Sequence, residues 1–399
     1  MKAQTYATIV LALLVCTAAT ANPGPDECTT AVVGAAASAD GAPLLWKNRD
    51  TSFASNKVVF VDERPYSYLA LVNAHETSGR WAYAGLNAAG FGIYNAVAAN
   101  LPKKPDEMVD LEGAIMADAL RTCATVRDFE RYLEANNGPS LGSWANFGVL
   151  DSKGGAAIFE VHNNGFERRD AARAKSRYIV STNFSKSGKQ GKGHGYLRYE
   201  RARELFEGAP SGKISHRYIL TSLARDFGHP LLDNPTLAEL RERSGKQPRW
   251  IHAHDTIDRA TSASTVVISG RKPGDDDSIA TLWVILGEPL TSIAVPLWVE
   301  AGEVPSALHK GKDAPIAKQA MRIKRILRPL AEGNKRHYLD GSKLANEEGT
   351  GIHRRLVRAE SEIMEATATF LEQRRTPAEL AAFQRKMAQK ALSALKKIR

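Results

Sequence analysis

Short apolar runs, separated by glycine-containing turns, occupy the chain from residue 28 to residue 94. The runs TTAVVG, APLLW, KVVFVD, YLALVNA and GFGIYN contain many β-branched and aromatic residues, which is typical of short strands. The breaks between them, such as Ala-Asp-Gly, are turn sequences. This pattern predicts a β-meander and not a series of βαβ units.

Further along the chain the apolar spacing alternates between helical and strand-like. Residues 111–121 and 126–136 have apolar positions three or four apart, which predicts two helices. Strands are predicted again at NFGVLD, GAAIFEVH and RYIVSTN, then helices over LRYERARELF and SHRYILTSLARDF, then strands at STVVIS, ATLWVIL and SIAVPLWV. This order predicts a layered α+β domain. After residue 304 the segments are helical and rich in Ala, Leu, Lys, Arg and Glu, so we expect residues 305–399 to form an appended helical region.

The first residues have the pattern of an export signal. Lys2 precedes an apolar run over residues 9–15, and small residues end at Ala21, which predicts a signal peptide over residues 1–21. The protein is then secreted or periplasmic. As an alternative, Cys16 would be the acylated residue of a lipoprotein, but Val15 before it is not the small residue such sites favour. No later segment has the roughly 18 to 20 apolar residues that a spanning helix needs.

Composition and charge narrow the range of functions. The 399 residues are 43% hydrophobic and 25% charged, which predicts one main folded domain, over residues 28–304. The net charge of +10 arises entirely after residue 311, where 20 basic residues face 10 acidic ones. Mixed charges at helical spacing are usually a solvated face, so no nucleic-acid partner is predicted. Contact of the basic tail with an anionic envelope surface stays open.

Two cysteines remain once the signal peptide is removed, and they are interpreted differently. Cys123 lies on an apolar helix face and is interpreted as a small core residue, although a disulfide with Cys28 is open to an exported protein. Cys28 opens the block CTTAVVGAAASADGAPLLWKNRD. A thiol is a modest nucleophile at neutral pH, whereas an α-amine with a pKa of about 8 is a good base. Cutting the bond before Cys28 would put both groups on one residue.

This block resembles the start of the mature chain in choloylglycine-hydrolase-like N-terminal-nucleophile (Ntn) hydrolases, which include bile-salt hydrolases and penicillin V acylases. The CTT start and SADG…KNRD are most similar to bacterial dipeptidases and to the acyl-CoA:6-aminopenicillanic acid acyltransferase family, and GLNAAGFGIYN and STNF to the latter. The resemblance implies a four-layered αββα sandwich and amide cleavage without a cofactor. It implies Cys28 as nucleophile and base and Asp50 as the carboxylate that contacts the new amine. Lys47 stands where relatives carry Arg or Gln near the thiol.

The same resemblance implies three further site residues. Asn95, in GIYN, and Asn183, in STN, match positions that stabilise an oxyanion, although asparagines at strand ends are ordinarily turn residues. Arg198, in LRYER, matches an arginine that helps to fix the site, and Arg201 competes for that assignment. Arg198 could equally be a helix-surface cation, since RYERARE also offers i,i+4 pairs.

Several functional alternatives remain. A dipeptidase or an N-acyltransferase would share the catalytic start, and a degenerate envelope-binding scaffold would have no activated thiol. The HAHD motif over residues 252–255 has no third ligand at a recognisable spacing, so we interpret it as a loop or the rim of a substrate pocket, with no metal. The substrate is expected to be a small amide or a short peptide.

Maturation needs two cuts. Signal peptidase favours small residues before its cut, so export leaves the propeptide, residues 22–27, attached to Cys28. The simplest agent for the second cut is the Cys28 thiol itself, attacking the carbonyl of Glu27.

Overall fold

The computed structural model describes residues 27–102, 109–138, 140–330 and 332–399. The predicted signal peptide, Cys16 and the propeptide up to residue 26 lie outside the described residues. Glu27, the last residue of the predicted propeptide, is described and begins the first strand.

Two antiparallel sheets form the centre of the molecule. The strands are β1 (Glu27–Val33), β2 (Leu44–Asp50), β3 (Asn56–Val61), β4 (Tyr68–Asn73), β5 (Ala84–Asn87), β6 (Gly92–Val97), β7 (Trp144–Leu150), β8 (Ala156–His162), β9 (Gly165–Asp170), β10 (Tyr178–Ser181), β11 (Trp250–His252), β12 (Ser262–Ser269), β13 (Thr281–Leu286), β14 (Val295–Leu297) and β15 (Tyr338–Asp340). The first sheet has the order β10-β1-β2-β12-β13-β14, and the second runs from β3 to β9 in chain order. Strands β11 and β15 form a separate pair.

Helices cover both sheets. They are α1 (Glu112–Thr122), α2 (Val126–Asn136), α3 (Tyr196–Glu207), α4 (His216–Thr221), α5 (Leu237–Arg241), α6 (Pro315–Leu327), α7 (Gly341–Leu344), α8 (Ile352–Phe370) and α9 (Pro377–Lys396). Helices α2 and α9 each begin with a capping box, in which a threonine and an acidic residue three positions later satisfy each other's backbone N–H groups. Such caps explain why these helices start where they do.

The elements stack in four layers. Strands β1 and β2 lie against β6 and β7 of the second sheet, whose outer face carries α1 and α2. There, Phe129 of α2 packs edge-on against Phe159 of β8, with ring centroids 5.2 Å apart. On the other side, Trp46 of β2 stacks on Phe206 of α3 at 5.9 Å. The molecule is thus the αββα sandwich that the sequence predicted.

The strand and helix predictions are largely confirmed, with informative differences. The sequence analysis missed β9, GFERRD, because its charged residues hide the strand period on a partly exposed edge strand. It also missed β5, AGLN, which is short. The helix predicted over SHRYILTSLARDF ends at Thr221, because the backbone of Ser222 leaves the helical region at φ −124° and ψ −65°.

The region after residue 304 packs against the first sheet. Helix α6 contacts β13, helices α8 and α9 contact β14, and their apolar residues belong to the same hydrophobic cluster as that sheet. Trp298, just after β14, has its ring centroid 6.0 Å from that of Phe383 in α9. The domain boundary at residue 304 stays a prediction. In the parts of the chain that the structure describes, no helix has the length and apolar character needed to cross a membrane.

Candidate active site

Cys28 is the second residue of β1, in the interior of the first sheet. It pairs with Arg49 of β2 and its side chain is buried, with 3% exposed. Tyr94 of β6 reaches this region from the second sheet: burial raises the pKa of its hydroxyl, and the charge of a Cys28 thiolate acts in the same direction. The Tyr94 ring lies against Gly148, where a Cβ atom would come within 2.1 Å of Cζ. Only glycine at that position leaves room for the ring.

Asn183, just after β10, holds the Cys28 nitrogen. Its Oδ1 atom accepts a hydrogen bond from Cys28 N at 3.0 Å, and its Nδ2 atom donates to the carbonyl of Val97 at 2.9 Å. In this structure Cys28 N is a peptide nitrogen, and it stands for the α-amine that cleavage after Glu27 would create. The side chain therefore presents its oxygen to the future base. Its predicted role as an oxyanion donor stays a prediction.

Arg198 of α3 is the arginine that faces Cys28. Its Nη1 atom donates to the Cys28 carbonyl at 2.7 Å, and its Nη2 atom donates to Asn183 Oδ1 at 2.9 Å. Arg201, one helical turn later, instead forms a two-pronged ion pair with Asp226 at 2.8 and 2.9 Å. The structure thus places Arg198, and not Arg201, beside Cys28.

Asp50 ends β2 directly opposite Glu27. Its Oδ1 atom accepts from the Ser262 hydroxyl at 2.6 Å and its Oδ2 atom accepts from Arg259 Nε at 2.8 Å. Arg259 also donates through Nη2 to Glu27 Oε2 at 2.6 Å. The carboxylate is therefore held one residue away from Cys28, and its predicted contact with the free amine stays a prediction.

The two carboxylates beside Cys28 are shifted in opposite directions. Burial raises the pKa of Asp50, and the nearby Arg259 and Arg198 do not fully offset it. Burial also acts to raise the pKa of Glu27, but there Arg259 and Arg198 outweigh it and hold the pKa below its ordinary value. Glu27 is therefore the firmly ionised partner of the two arginines.

Lys47 and Asn95 belong to a second polar chain that links the first sheet to α1. Lys47 Nζ donates to Asn95 Oδ1 at 2.7 Å and to the Tyr83 carbonyl at 2.9 Å. Asn95 Nδ2 donates to Glu112 Oε2 at 2.7 Å. Lys47 pairs with Thr30 of β1, two residues from Cys28 on the same face of the strand, so its cation lies on the thiol side of the sheet. Since Asn95 already donates to Glu112, its predicted oxyanion role also stays a prediction.

Glu112 is buried at the start of α1. Burial raises its pKa to about 8, and the nearby Asp110 acts in the same direction. Its Oε1 atom accepts a weak hydrogen bond from Trp144 N at 3.3 Å. Because this pKa of about 8 lies above neutral pH, the carboxyl is largely protonated at pH 7.

The remaining sequence candidates are the second cysteine and the HAHD motif, whose Asp255 lies 3.8 Å from Arg198 and 3.5 Å from Arg259. In the described structure no disulfide joins Cys28 to Cys123, so that alternative is not formed. The histidines of HAHD form a ring cluster with His337, in which the His254 and His337 centroids are 4.4 Å apart. Within the described ranges, no group of three or more His, Cys, Asp or Glu side chains is arranged to hold a metal ion.

Two site residues were missed by the sequence analysis. Arg259 lies in IDRATS, 209 positions from Asp50, and no spacing marks it. The sequence gives only a weak indication of its role: it lies just before a predicted strand, where a buried charge would be unusual. Glu112 begins a predicted helix, where an acidic residue is ordinary, so its burial against Asn95 is visible only in three dimensions.

Comparisons with known proteins give similar solved structures at low sequence identity. No protein-family model matches the chain, and no curated protein matches it. Among solved structures, it is similar to an N-acylethanolamine-hydrolyzing acid amidase ortholog from Caenorhabditis elegans, with 13% identity and a TM-score of 0.40, over 63% of this chain and 95% of that one. It is also similar to a mutant conjugated bile acid hydrolase from Clostridium perfringens, with 11% identity and a TM-score of 0.39, over 68% and 92%.

A third similar structure is penicillin V acylase from Agrobacterium tumefaciens, with 15% identity and a TM-score of 0.37, over 68% of this chain and 86% of that one. Bile-acid hydrolases and penicillin V acylases are among the choloylglycine-hydrolase-like Ntn hydrolases that the sequence motifs resemble. The geometry around Cys28 is the basis for the function proposed for this chain.

Proposed function

We propose that the chain is an exported Ntn cysteine amidohydrolase that cleaves a linear N-acyl amide bond after residues 1–27 are removed. The observation that carries the proposal is the hydrogen bond of 3.0 Å from Cys28 N to Asn183 Oδ1. It fixes the nitrogen of the residue that also carries the thiol, inside a buried polar site. A nucleophile and its base on one residue need that nitrogen to be held in place.

The reaction then runs through a thioester. The Cys28 amine takes the thiol proton, and the sulfur attacks the amide carbonyl to form a C–S bond and a tetrahedral oxyanion. As the oxyanion collapses, the C–N bond breaks and the leaving amine takes the proton from the Cys28 ammonium. Water, deprotonated by the same amine, attacks the thioester, the C–S bond breaks, and the carboxylic acid is released.

The surrounding charges suit this sequence of steps. Asn183 Oδ1 orients the amine, and the Lys47 cation on the thiol side of β1 favours the thiolate. Arg198, through its hydrogen bond of 2.7 Å to the Cys28 carbonyl, keeps the residue in register at the end of β1. Asn95 and Asn183 are proposed to contribute amide donors to the oxyanion once substrate is bound.

Removal of the propeptide uses the same groups. The Cys28 thiol would attack the Glu27 carbonyl to give a thioester that water resolves, which frees the amine. Arg198 contacts a group on each side of the Glu27–Cys28 bond: the Glu27 carboxylate before it and the Cys28 carbonyl after it. These contacts position the bond for this step. Export supplies the preceding cut after Ala21.

The test is intact-mass analysis combined with an amide panel. Wild-type chains should begin at Cys28, whereas Cys28→Ala chains should keep Asn22 as their first residue. The mature protein should hydrolyse N-acyl amides, and Cys123→Ala, the matched cysteine control, should behave as wild type. Wild-type protein that is active with Asn22 still attached would contradict the mechanism, because the free amine of Cys28, which is the proposed base, would not exist. Correct cleavage of Cys28→Ala would assign the cut to another protease and leave the catalytic mechanism standing.

A competing amine distinguishes hydrolysis from acyl transfer. With an added primary amine in excess, a hydrolase should still release mainly the free acid. A product that is mainly the new amide would instead identify an N-acyltransferase of the same mechanism.

A further inference from the structure

Two buried arginines converge on the side chain of Glu27. Its Oε2 atom accepts from Nη2 of Arg198 at 2.7 Å and from Nη2 of Arg259 at 2.6 Å. The Arg198 side chain is fully buried and that of Arg259 is 7% exposed, whereas Glu27 is 25% exposed. We call Arg198 and Arg259 the arginine pair.

The arginine pair marks a position relative to the reacting carbonyl. If Cys28 frees its own amine, the first carbonyl that its sulfur attacks is that of Glu27. A later substrate must bring its acyl carbonyl to the same sulfur, so the Glu27 carbonyl stands for the acyl carbonyl of the substrate. The Glu27 carboxylate is separated from this carbonyl by Cα, Cβ and Cγ. The arginine pair therefore lies at the end of an acyl chain of that length.

Departure of Glu27 removes the carboxylate whose Oε2 atom contacts both members of the arginine pair. Among the described residues, the pair keeps two acidic neighbours: Asp50, 2.8 Å from Arg259 Nε, and Asp255, whose Oδ1 atom is 3.5 Å from Arg259 and 3.8 Å from Arg198. Asp255 is 32% exposed, so solvent weakens its attraction. Buried guanidiniums that lose a partner are strongly destabilised, and a carboxylate is the group that their planar N–H donors match.

We infer that the mature site accepts an acyl group that ends in a carboxylate, held by Arg198 and Arg259 where Glu27 was. This inference rests on the proposed function. The distance along Glu27 selects a glutaryl amide or an α-glutamyl amide, in which the same three carbons separate the carboxylate from the scissile carbonyl. The propeptide would then be the first substrate of its own enzyme and a mimic of the later ones.

The experiment compares matched chromogenic amides on the mature chain that begins at Cys28. Glutaryl and pentanoyl p-nitroanilides have acyl chains of equal carbon number and differ in the terminal carboxylate. The glutaryl compound should have a kcat/KM higher by roughly 10- to 100-fold, as expected for hydrogen bonds to a charged group. Arg259→Gln should bring this ratio towards one, and Arg259→Lys should give an intermediate ratio. Arg201→Gln, a control on the same helix as Arg198, should keep it.

A second measurement does not depend on turnover or on the variants. Glutarate should protect Cys28 from alkylation by iodoacetamide at concentrations where pentanoate does not. Equal hydrolysis of the two anilides without selective protection would overturn the inference and leave the proposed function standing. Selective protection without hydrolysis of either anilide would support the anion site and contradict the amidohydrolase. Preference for pentanoyl-glycine over both anilides would place the carboxylate on the leaving amine and overturn the inference.

Discussion

Cys28 and Cys123 are equally buried, with 3% and 2% of each residue exposed, yet their surroundings are opposite. Cys28 begins an interior strand and has Asn183 and Arg198 at hydrogen-bonding distance of its backbone. Cys123 ends α1 inside the apolar layer between α1, α2 and the second sheet. Burial raises the pKa of its thiol to about 11. Burial alone therefore makes a cysteine inert, and polar groups placed around it are needed to make it a nucleophile.

The largest effect that separates the two cysteines should be on turnover. Cys28→Ala should lower kcat on a confirmed amide substrate by roughly 10⁴-fold or more, because the nucleophile is lost. Cys123→Ala removes one sulfur from an apolar cluster and should change kcat by less than about twofold. Steady-state kinetics on the two purified variants checks this. Comparable losses in both would mean that Cys28 has no special chemical role.

Substitutions of Asn183 test whether the polar groups around Cys28 are needed for turnover. Asn183→Ala should lower kcat by roughly 10²-fold or more, with the fold retained, as for loss of one oxyanion donor. Asn183→Asp keeps an oxygen for the Cys28 nitrogen and removes the amide donor. If the main role is to hold the amine, Asp should recover much of the activity that Ala loses.

The outcome for these two variants separates the roles. Equal losses in Asn183→Ala and Asn183→Asp would favour the donor role, and an unchanged kcat in Asn183→Ala would remove the residue from the site. Circular dichroism of both variants shows whether the fold is retained.

The thiol pKa of Cys123 predicts its labelling. With a pKa of about 11, only about one molecule in a thousand carries the Cys123 thiolate at pH 8. Labelling by iodoacetamide should therefore be roughly 10²-fold slower than for an ordinary exposed cysteine. Its rate should rise about tenfold per pH unit up to pH 11. Peptide mapping after alkylation at pH 8 should find Cys28 modified and Cys123 intact, and rapid labelling of Cys123 at that pH would contradict this account.

Glu112, at the opposite end of α1 from Cys123, should affect stability more than turnover. Its pKa in the folded protein, about 8, lies above the ordinary value of 4.5. The folded state therefore binds the proton more tightly than the unfolded state, and the free energy of unfolding should fall as pH rises from 4.5 to 8. The slope approaches about 1.4 kcal/mol per pH unit, and above pH 8 the fall should stop.

Glu112→Gln cannot ionise, so its stability should not show this fall. Urea unfolding of wild type and variant at pH 5, 6.5 and 8 measures the difference, which should grow in favour of the variant. Glu134→Gln, an exposed position on α2, should follow the wild type at every pH. Parallel pH dependence of wild type and Glu112→Gln would show that Glu112 ionises normally in the folded protein.

The order of strands and helices could be predicted from the sequence because it depends on local patterns. Short alternating runs predict strands, apolar residues three or four apart predict α1 and α2, and the strand meander predicts antiparallel neighbours. The resemblance of the block from Cys28 to KNRD to Ntn hydrolases is what singled out Cys28 and Asp50. The period of side chains along a strand or helix is a property of the local backbone. It can therefore be recognised in the sequence before the fold is known.

Only the tertiary structure decided which distant polar groups meet. Arg198 and Arg201 are one helical turn apart and both are followed by acidic residues, so their roles depend on which side of α3 faces β1. Arg259 joins Glu27 and Asp50 across more than two hundred residues of sequence, and Glu112 reaches Asn95 through the sheet. Such pairs depend on how the layers pack, because a shift of a few ångströms decides whether a charged group has a partner. The local sequence pattern does not contain those distances.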